Sequence, residues 1–353
     1  MLSSAGGRNS GPRMRARLEP SQAAAYLLTA HPEATADSMT RKAQTLEAVG
    51  LTKKYGPFKA LDSLNLKIEG SKCVGFLGPN GAGKTTTLKI FTGLIRPSAG
   101  RALVNGMDVH TQKRKALATV AALVETPEIY SSFTPNEALM MIAKLRGVPP
   151  EIRRKKVEDA LHEVRMEDWR DKKVGEFSKG MKQRVNIAST LLNDPEIVLL
   201  DEPSSGLDPR GMSEVREIIR SLKERKRLVF MSSHLLAEVT EVCDEAALVD
   251  RGKLLAYDTI QRLTERFSVG GVLEAGFVGP VTAEMLKSIE SIRGVTFAER
   301  IDDRSLRLKF SGGPDAQAMI YSELGGLKIG VNSLRPASSA LEDVYLNLVK
   351  ENV

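Results

Sequence analysis

Apolar and polar positions along this chain fall into two rhythms. Short continuous apolar runs, Cys73–Leu77, 197–200 and 228–231, are bounded by polar or turn residues and predict strands buried on both faces. Between them lie helical patterns. Thr134-Pro135-Asn136-Glu137 reads as a helix start, with Thr134 capping, Pro135 in the first turn and Glu137 closing a capping box. Leu139, Ile142, Ala143 and Leu145 follow as its apolar face. The alternation predicts an α/β core over about 45–265, interrupted by a helical subdomain over about 127–185. After it the rhythm changes. Strands over 272–277, 295–299, 306–310 and 328–333, with helices over 283–292 and 316–324, give a β-α-β-β-α-β order. That order predicts a small ferredoxin-like α+β domain over 266–353. Leu341, Val344, Tyr345 and Leu348 then mark one face of a last helix, which either packs into the core or serves dimer contact or regulation.

The chemistry sits at the ends of the apolar runs. Gly78-Pro79-Asn80-Gly81-Ala82-Gly83-Lys84-Thr85 follows the first run and leads, through Thr86, into a helical stretch. This is a phosphate-binding pattern of the P-loop NTPases. Its glycines let the backbone approach an anion, the helix N-terminus favours negative charge, Lys84 reaches the β- and γ-phosphates, and the Thr85 hydroxyl ligates Mg²⁺. The second apolar run ends in Asp201-Glu202. Adjacent strand residues point to opposite sides, so Asp201 is expected to hold the metal while Glu202 polarises the attacking water.

Glu176-Phe177-Ser178-Lys179-Gly180-Met181-Lys182-Gln183-Arg184 lies between these halves, and with it the chain resembles the ATP-binding-cassette (ABC) ATPases. The resemblance rests on Ser178, Gly180, Gln183 and Arg184 of the family's signature. It implies that Ser178 and Gly180 close on ATP held by a second subunit. It further implies that Tyr55 stacks on adenine and that Asp208, in Ser205-Gly206-Leu207-Asp208, couples the two sites. His234, after the run over 228–231, is then the switch histidine at the γ-phosphate. Asp208-Pro209 also reads as a helix N-cap followed by proline. Two positions depart from the family pattern: Lys179 and Met181 stand in the signature, and Glu125 stands where glutamine is usual. Both departures resemble the peptide-antibiotic and anthracycline resistance exporters. The family's architecture would place Glu125 at the entrance to the helical subdomain, where nucleotide state is passed to a membrane subunit.

The 353-residue length suggests about two domains, and a 42% hydrophobic content suffices for a large core. No run approaches the roughly 18 apolar residues of a membrane span. Transport would therefore need a separate transmembrane permease, with this chain peripheral at the cytoplasmic face of the cell membrane. Only two cysteines are present, without metal spacing, which fits a reducing compartment. The +7 net charge is not gathered into an aromatic-bearing nucleic-acid module, so no nucleic-acid partner is expected. Residues 1–44 read as a disordered or misassigned extension, although a targeting role for the short apolar stretch near residue 25 stays open. The expectation is an ATP-hydrolysing exporter subunit acting as a homodimer. The alternative is a soluble or regulatory ABC ATPase acting on DNA, ribosomes or another partner.

Overall fold

A computed structural model describes residues 44–125, 129–267, 271–327 and 329–336, together with 341, 344, 345, 348 and 349. The expectations for residues 1–43 lie outside these. A hairpin opens the fold, β1 (Thr45–Tyr55) against β2 (Phe58–Glu69), and leads into β3 (Cys73–Leu77), five consecutive buried residues. The glycine-rich loop follows and delivers α1 (Lys84–Phe91). Then β4 (Ala99–Val104) and β5 (Met107–Asp108) return to the hairpin and build the four-stranded antiparallel sheet β2-β1-β4-β5. A short α2 (Lys113–Ala116) precedes β6 (Val120–Leu123).

The inserted helices are α3 (Pro135–Leu145), α4 (Pro150–Glu163) and α5 (Lys179–Leu191). The capping box forms: the Glu137 N–H donates to Thr134 Oγ1 at 3.2 Å, and the Thr134 N–H donates to Glu137 Oε2 at 2.9 Å. Two details differ from expectation. Leu145 is 50% exposed, because it lies at the end of α3 beyond the stripe set by Leu139, Ile142 and Ala143. Helix α5 runs on to Leu191, past 185, since Ile187, Ala188 and Leu191 continue its buried face.

After α5 come β7 (Ile197–Asp201), α6 (Pro209–Glu224), β8 (Leu228–Ser233), α7 (Leu236–Val242), β9 (Glu245–Asp250), β10 (Lys253–Thr259) and α8 (Ile260–Phe267). The central sheet runs β10-β9-β3-β8-β7-β6, parallel except for β10. Alternate residues feed two cores. Val198 and Leu200 face the inserted helices, whereas Ile197 and Leu199 face α1 and the antiparallel sheet. Phe230 of β8 meets Phe76 at 5.3 Å and the edge of Phe91 at 6.2 Å between ring centroids, which fixes α1 over the sheet. Each such fully buried phenyl contributes about 1.5–3 kcal/mol. The C-terminal ends of β3, β7 and β8 therefore meet at one rim, where open α/β sheets bind ligands.

The later part forms β11 (Gly271–Phe277), α9 (Ala283–Glu290), β12 (Val295–Asp302), β13 (Ser305–Phe310), α10 (Pro314–Gly326) and β14 (Val331–Pro336). Its antiparallel sheet has the order β12-β13-β11-β14, with a core of its own that includes Leu273, Phe277, Ile289, Leu306 and Ile320. The expected last strand over 328–333 is displaced: Gly330 adopts φ +68°, which interrupts an extended chain, and pairing starts at Val331. Residues Leu341, Val344 and Leu348 are helical and buried, and they pack against Leu77, Val239, Leu248 and Leu263 of the central fold. Of the two readings for that apolar face, core packing is the one this contact satisfies.

Candidate functional site

Two glycines shape the phosphate loop. Gly83 adopts φ +99°, and a Cβ there would lie 2.6 Å from both the Ala60 carbonyl oxygen and Leu61 Cδ2. At Gly78 a Cβ would fall 2.3 Å from the Val249 carbonyl oxygen. The loop is thus wedged against β2 and β9 at these two positions, which leave no room for a side chain. Ala82, buried, donates its N–H to the Pro79 carbonyl at 3.2 Å and accepts from the Gly252 N–H at 3.1 Å. Asn80, Gly81, Gly83, Lys84, Thr85 and Thr86 line a cleft of about 220 Å³ whose other walls include Tyr55 and Glu202.

Lys84 is only 6% exposed, and its ammonium is held by two hydrogen bonds and an ion pair. It donates to the carbonyls of Gly78 at 2.8 Å and Pro79 at 3.1 Å, and its ammonium lies 3.1 Å from Glu202 Oε1. Thr85 donates to Asp201 Oδ1 at 3.2 Å, joining the loop to the end of β7. Ser232, fully buried on β8, donates to the same oxygen at 2.6 Å and accepts from the Glu202 N–H at 2.9 Å. Sequence reasoning missed Ser232. The only signal was its place beside His234, since serine at a strand end carries no role by itself.

Asp201 and Glu202 do diverge, but not by strand alternation. Strand β7 ends at Asp201, and Glu202 turns into the left-handed region at φ +47°. That conformation costs a non-glycine residue about 1–3 kcal/mol, and the Ser232 and Lys84 contacts hold it. His234 Nδ1 lies 2.5 Å from Glu202 Oε2. Against an ionised carboxylate, which only accepts, that nitrogen carries the proton. The loop and the ends of β1, β7 and β8 therefore bring Tyr55, residues 80–86, Asp201, Glu202 and His234 to one place.

The remaining expected residues lie elsewhere. Ser178 caps α5, accepting from the Met181 N–H at 3.2 Å. Gly180 packs against α6 so closely that a Cβ would be 3.1 Å from Gly211 Cα. This end of α5 borders a second cavity of about 580 Å³, with Tyr130, Lys179, Lys182, Asn186 and Ser205 among its walls, and it shares no lining residue with the first. Asp208 occupies the expected cap position of α6 ahead of Pro209, though without a side-chain cap hydrogen bond. Its Oδ1 instead sits where a Cβ on Gly211 would be 2.9 Å away. Glu125, at φ +58°, ion-pairs with Lys89 of α1.

A parallel sheet whose rim carries a glycine loop, a buried lysine and paired carboxylates defines a P-loop ATPase. Comparison with known proteins is specific about which. A family model described as ABC transporter matches residues 61–205. The chain is 39% identical over 222 residues to the bacitracin transport ATP-binding protein BcrA of Bacillus licheniformis, covering 63% of this chain and 72% of that protein. It is 32% identical over 303 residues to the Nod factor export ATP-binding protein I of Burkholderia orbicola, covering 84% and 94%. Among solved structures, an ATP-binding subunit of an ABC transporter matches with TM-score 0.56 and 29% identity over 63% of this chain and 93% of that one. The chain belongs to the ABC transporter ATP-binding family and is an ATP-binding, ATP-hydrolysing subunit. Among the described residues, no helix is long and apolar enough to cross a membrane.

Proposed function

We propose that this chain powers an exporter of the peptide-antibiotic and drug-resistance type, working as a homodimer on a separate transmembrane permease at the cytoplasmic face of the membrane. The observation that carries the hydrolytic part is the junction of Lys84, Thr85, Asp201, Glu202 and His234 at the rim of the parallel sheet. Names of relatives that transport bacitracin or export Nod factor support the exporter direction.

In this reading the amides of Asn80, Gly81 and Gly83 through Thr86 bind the phosphates of ATP, and Lys84 turns from its carbonyls to the β- and γ-phosphates. Tyr55 stacks on adenine. Thr85 Oγ1 and Asp201 Oδ1, already adjacent, form a hard oxygen pair suited to Mg²⁺, which when bound neutralises charge on the phosphates. Glu202 accepts the proton of the attacking water as its oxygen bonds to the γ-phosphorus and the bond to the β,γ-bridging oxygen breaks, so that ADP leaves with that oxygen. His234 orients Glu202 and reaches the γ-phosphate. Release of Lys84 frees one Glu202 oxygen for the water, so phosphate binding and activation of the base are one movement.

The cleft is smaller than the roughly 300–1,000 Å³ of ordinary ligand pockets, which favours a second wall from a second subunit. Ser178, Gly180 and Asp208 would supply it. Glu125 would report nucleotide state to the permease, and its ion pair with Lys89 links it to the phosphate-loop helix. The chemical assignment is tested by Glu202→Gln. ATP binding should persist while steady-state hydrolysis falls about 10²- to 10⁴-fold. Near-normal turnover would remove Glu202 from the role.

A further inference from the structure

The base end of the nucleotide cleft carries two aromatic rings. Strands β1 and β2 are joined through Gly56, at φ +58°, and Pro57, and the tight turn sets Tyr55 directly opposite Phe58. Directly opposed residues of an antiparallel pair project to the same face with Cβ atoms about 4.5–5.5 Å apart. Tyr55 is 48% exposed and Phe58 is 59% exposed. Both line the same cleft as Gly81, Lys84 and Thr85. Lys53 Nζ stands 5.1 Å from the centre of the Tyr55 ring, so part of that ring's surface is already engaged by a cation.

A single exposed phenyl group is ordinary on a protein surface. Its position is what matters here: Phe58 is held by hairpin register at the mouth of a cleft whose far end is built for phosphates. A nucleoside triphosphate with its phosphates at Lys84 extends its base away from the loop, and Tyr55 and Phe58 are the aromatic walls of that cleft. We propose that Phe58 is a second aromatic contact for the nucleotide base, so that adenine is held by a pair of rings rather than by Tyr55 alone. The proposal rests on the nucleotide site proposed above. Aromatic stacking accepts any base with a π face, so the pair strengthens binding more than it selects among purines.

Calorimetric titration of the Glu202→Gln chain with Mg-ATP and, separately, with Mg-tripolyphosphate tests this, because the second ligand has phosphates and no base. Phe58→Ala should weaken ATP about tenfold and leave tripolyphosphate unchanged, a loss within the range for removing one stacked ring. Phe58→Tyr should restore ATP affinity. Unchanged ATP affinity in Phe58→Ala would overturn the proposal, and so would equal weakening of both ligands, which would mean a disturbed loop. The underlying site fails separately: tripolyphosphate binding that Lys84→Ala does not alter would remove the phosphate site itself.

Discussion

The phosphate-loop rim and the signature end of α5 are built on opposite principles. At the rim, Lys84, Thr85, Asp201, Glu202, Ser232 and His234 form one connected set in which each polar group meets another from the same chain. At the signature end, Lys179 and Lys182 are exposed with no ion pair among the described residues, and the buried Oδ1 of Asn186 has no hydrogen-bond partner there. A connected polar set is rigid, whereas unpaired charge beside an open cavity is a surface awaiting a complement. The difference supports the proposed arrangement, in which one chain holds a finished half of its own site together with the complementary half of another.

The strongest way to break that comparison is to injure the halves separately. Lys84→Ala and Ser178→Arg homodimers should each lose nearly all ATPase activity. Equimolar mixing should recover about a quarter of the wild-type rate, since half the dimers are mixed and each keeps one intact site. Crosslinks placing Ser178 beside its own subunit's Lys84 would contradict the arrangement, while recovery on mixing would establish it.

A smaller effect should come from support beneath the rim. Leu348, buried against the fold that ends in Leu77, should cost about 2–4 kcal/mol of stability as Leu348→Ala. Hydrogen exchange should then rise in β3 and β9 while α5 keeps its protection. Equal loosening of both halves would refute their independence.

Ser232→Ala removes the hydroxyl shared by Asp201 and the Glu202 N–H, and denaturant unfolding should show a loss of about 1–3 kcal/mol. No change would mean that Glu202 keeps its left-handed backbone without that contact. The smallest expected effect is at Glu125. Glu125→Gln should keep ATP binding and basal hydrolysis while altering stimulation by the reconstituted permease about fivefold, the lower end of ordinary coupling. Equal stimulation of both proteins would leave Glu125 without a coupling role.

Much of the rim was legible in sequence because its parts are local: a glycine loop needs consecutive residues, and Lys84 and Thr85 follow it at fixed spacing. The capping box at Thr134 and the buried strands were legible for the same reason. What sequence did not reveal depends on neighbours distant along the chain. The turn at Glu202 departs from strand alternation and is held by Ser232 and Lys84, which lie 30 residues downstream and far upstream respectively. Phe58 carries no signal along the chain, and only hairpin register sets it opposite Tyr55. Asp208 has the right residue type for a cap, yet its carboxylate turns toward Gly211.

The packing of Leu341, Val344 and Leu348 against Leu77 also has a consequence for how the molecule is made. Leu77, which ends the strand leading to the phosphate loop, is synthesised about 270 residues before Leu348. The surface that Leu77 forms with Val239 and Leu248 is complete only once Leu248 is made, and at about 5–20 residues per second it then lacks its cover for on the order of ten seconds. During that interval the nascent chain presents a hydrophobic face next to its nucleotide loop. A change that removes Leu341, Val344 and Leu348 would therefore leave an uncapped, aggregation-prone flank beside that loop.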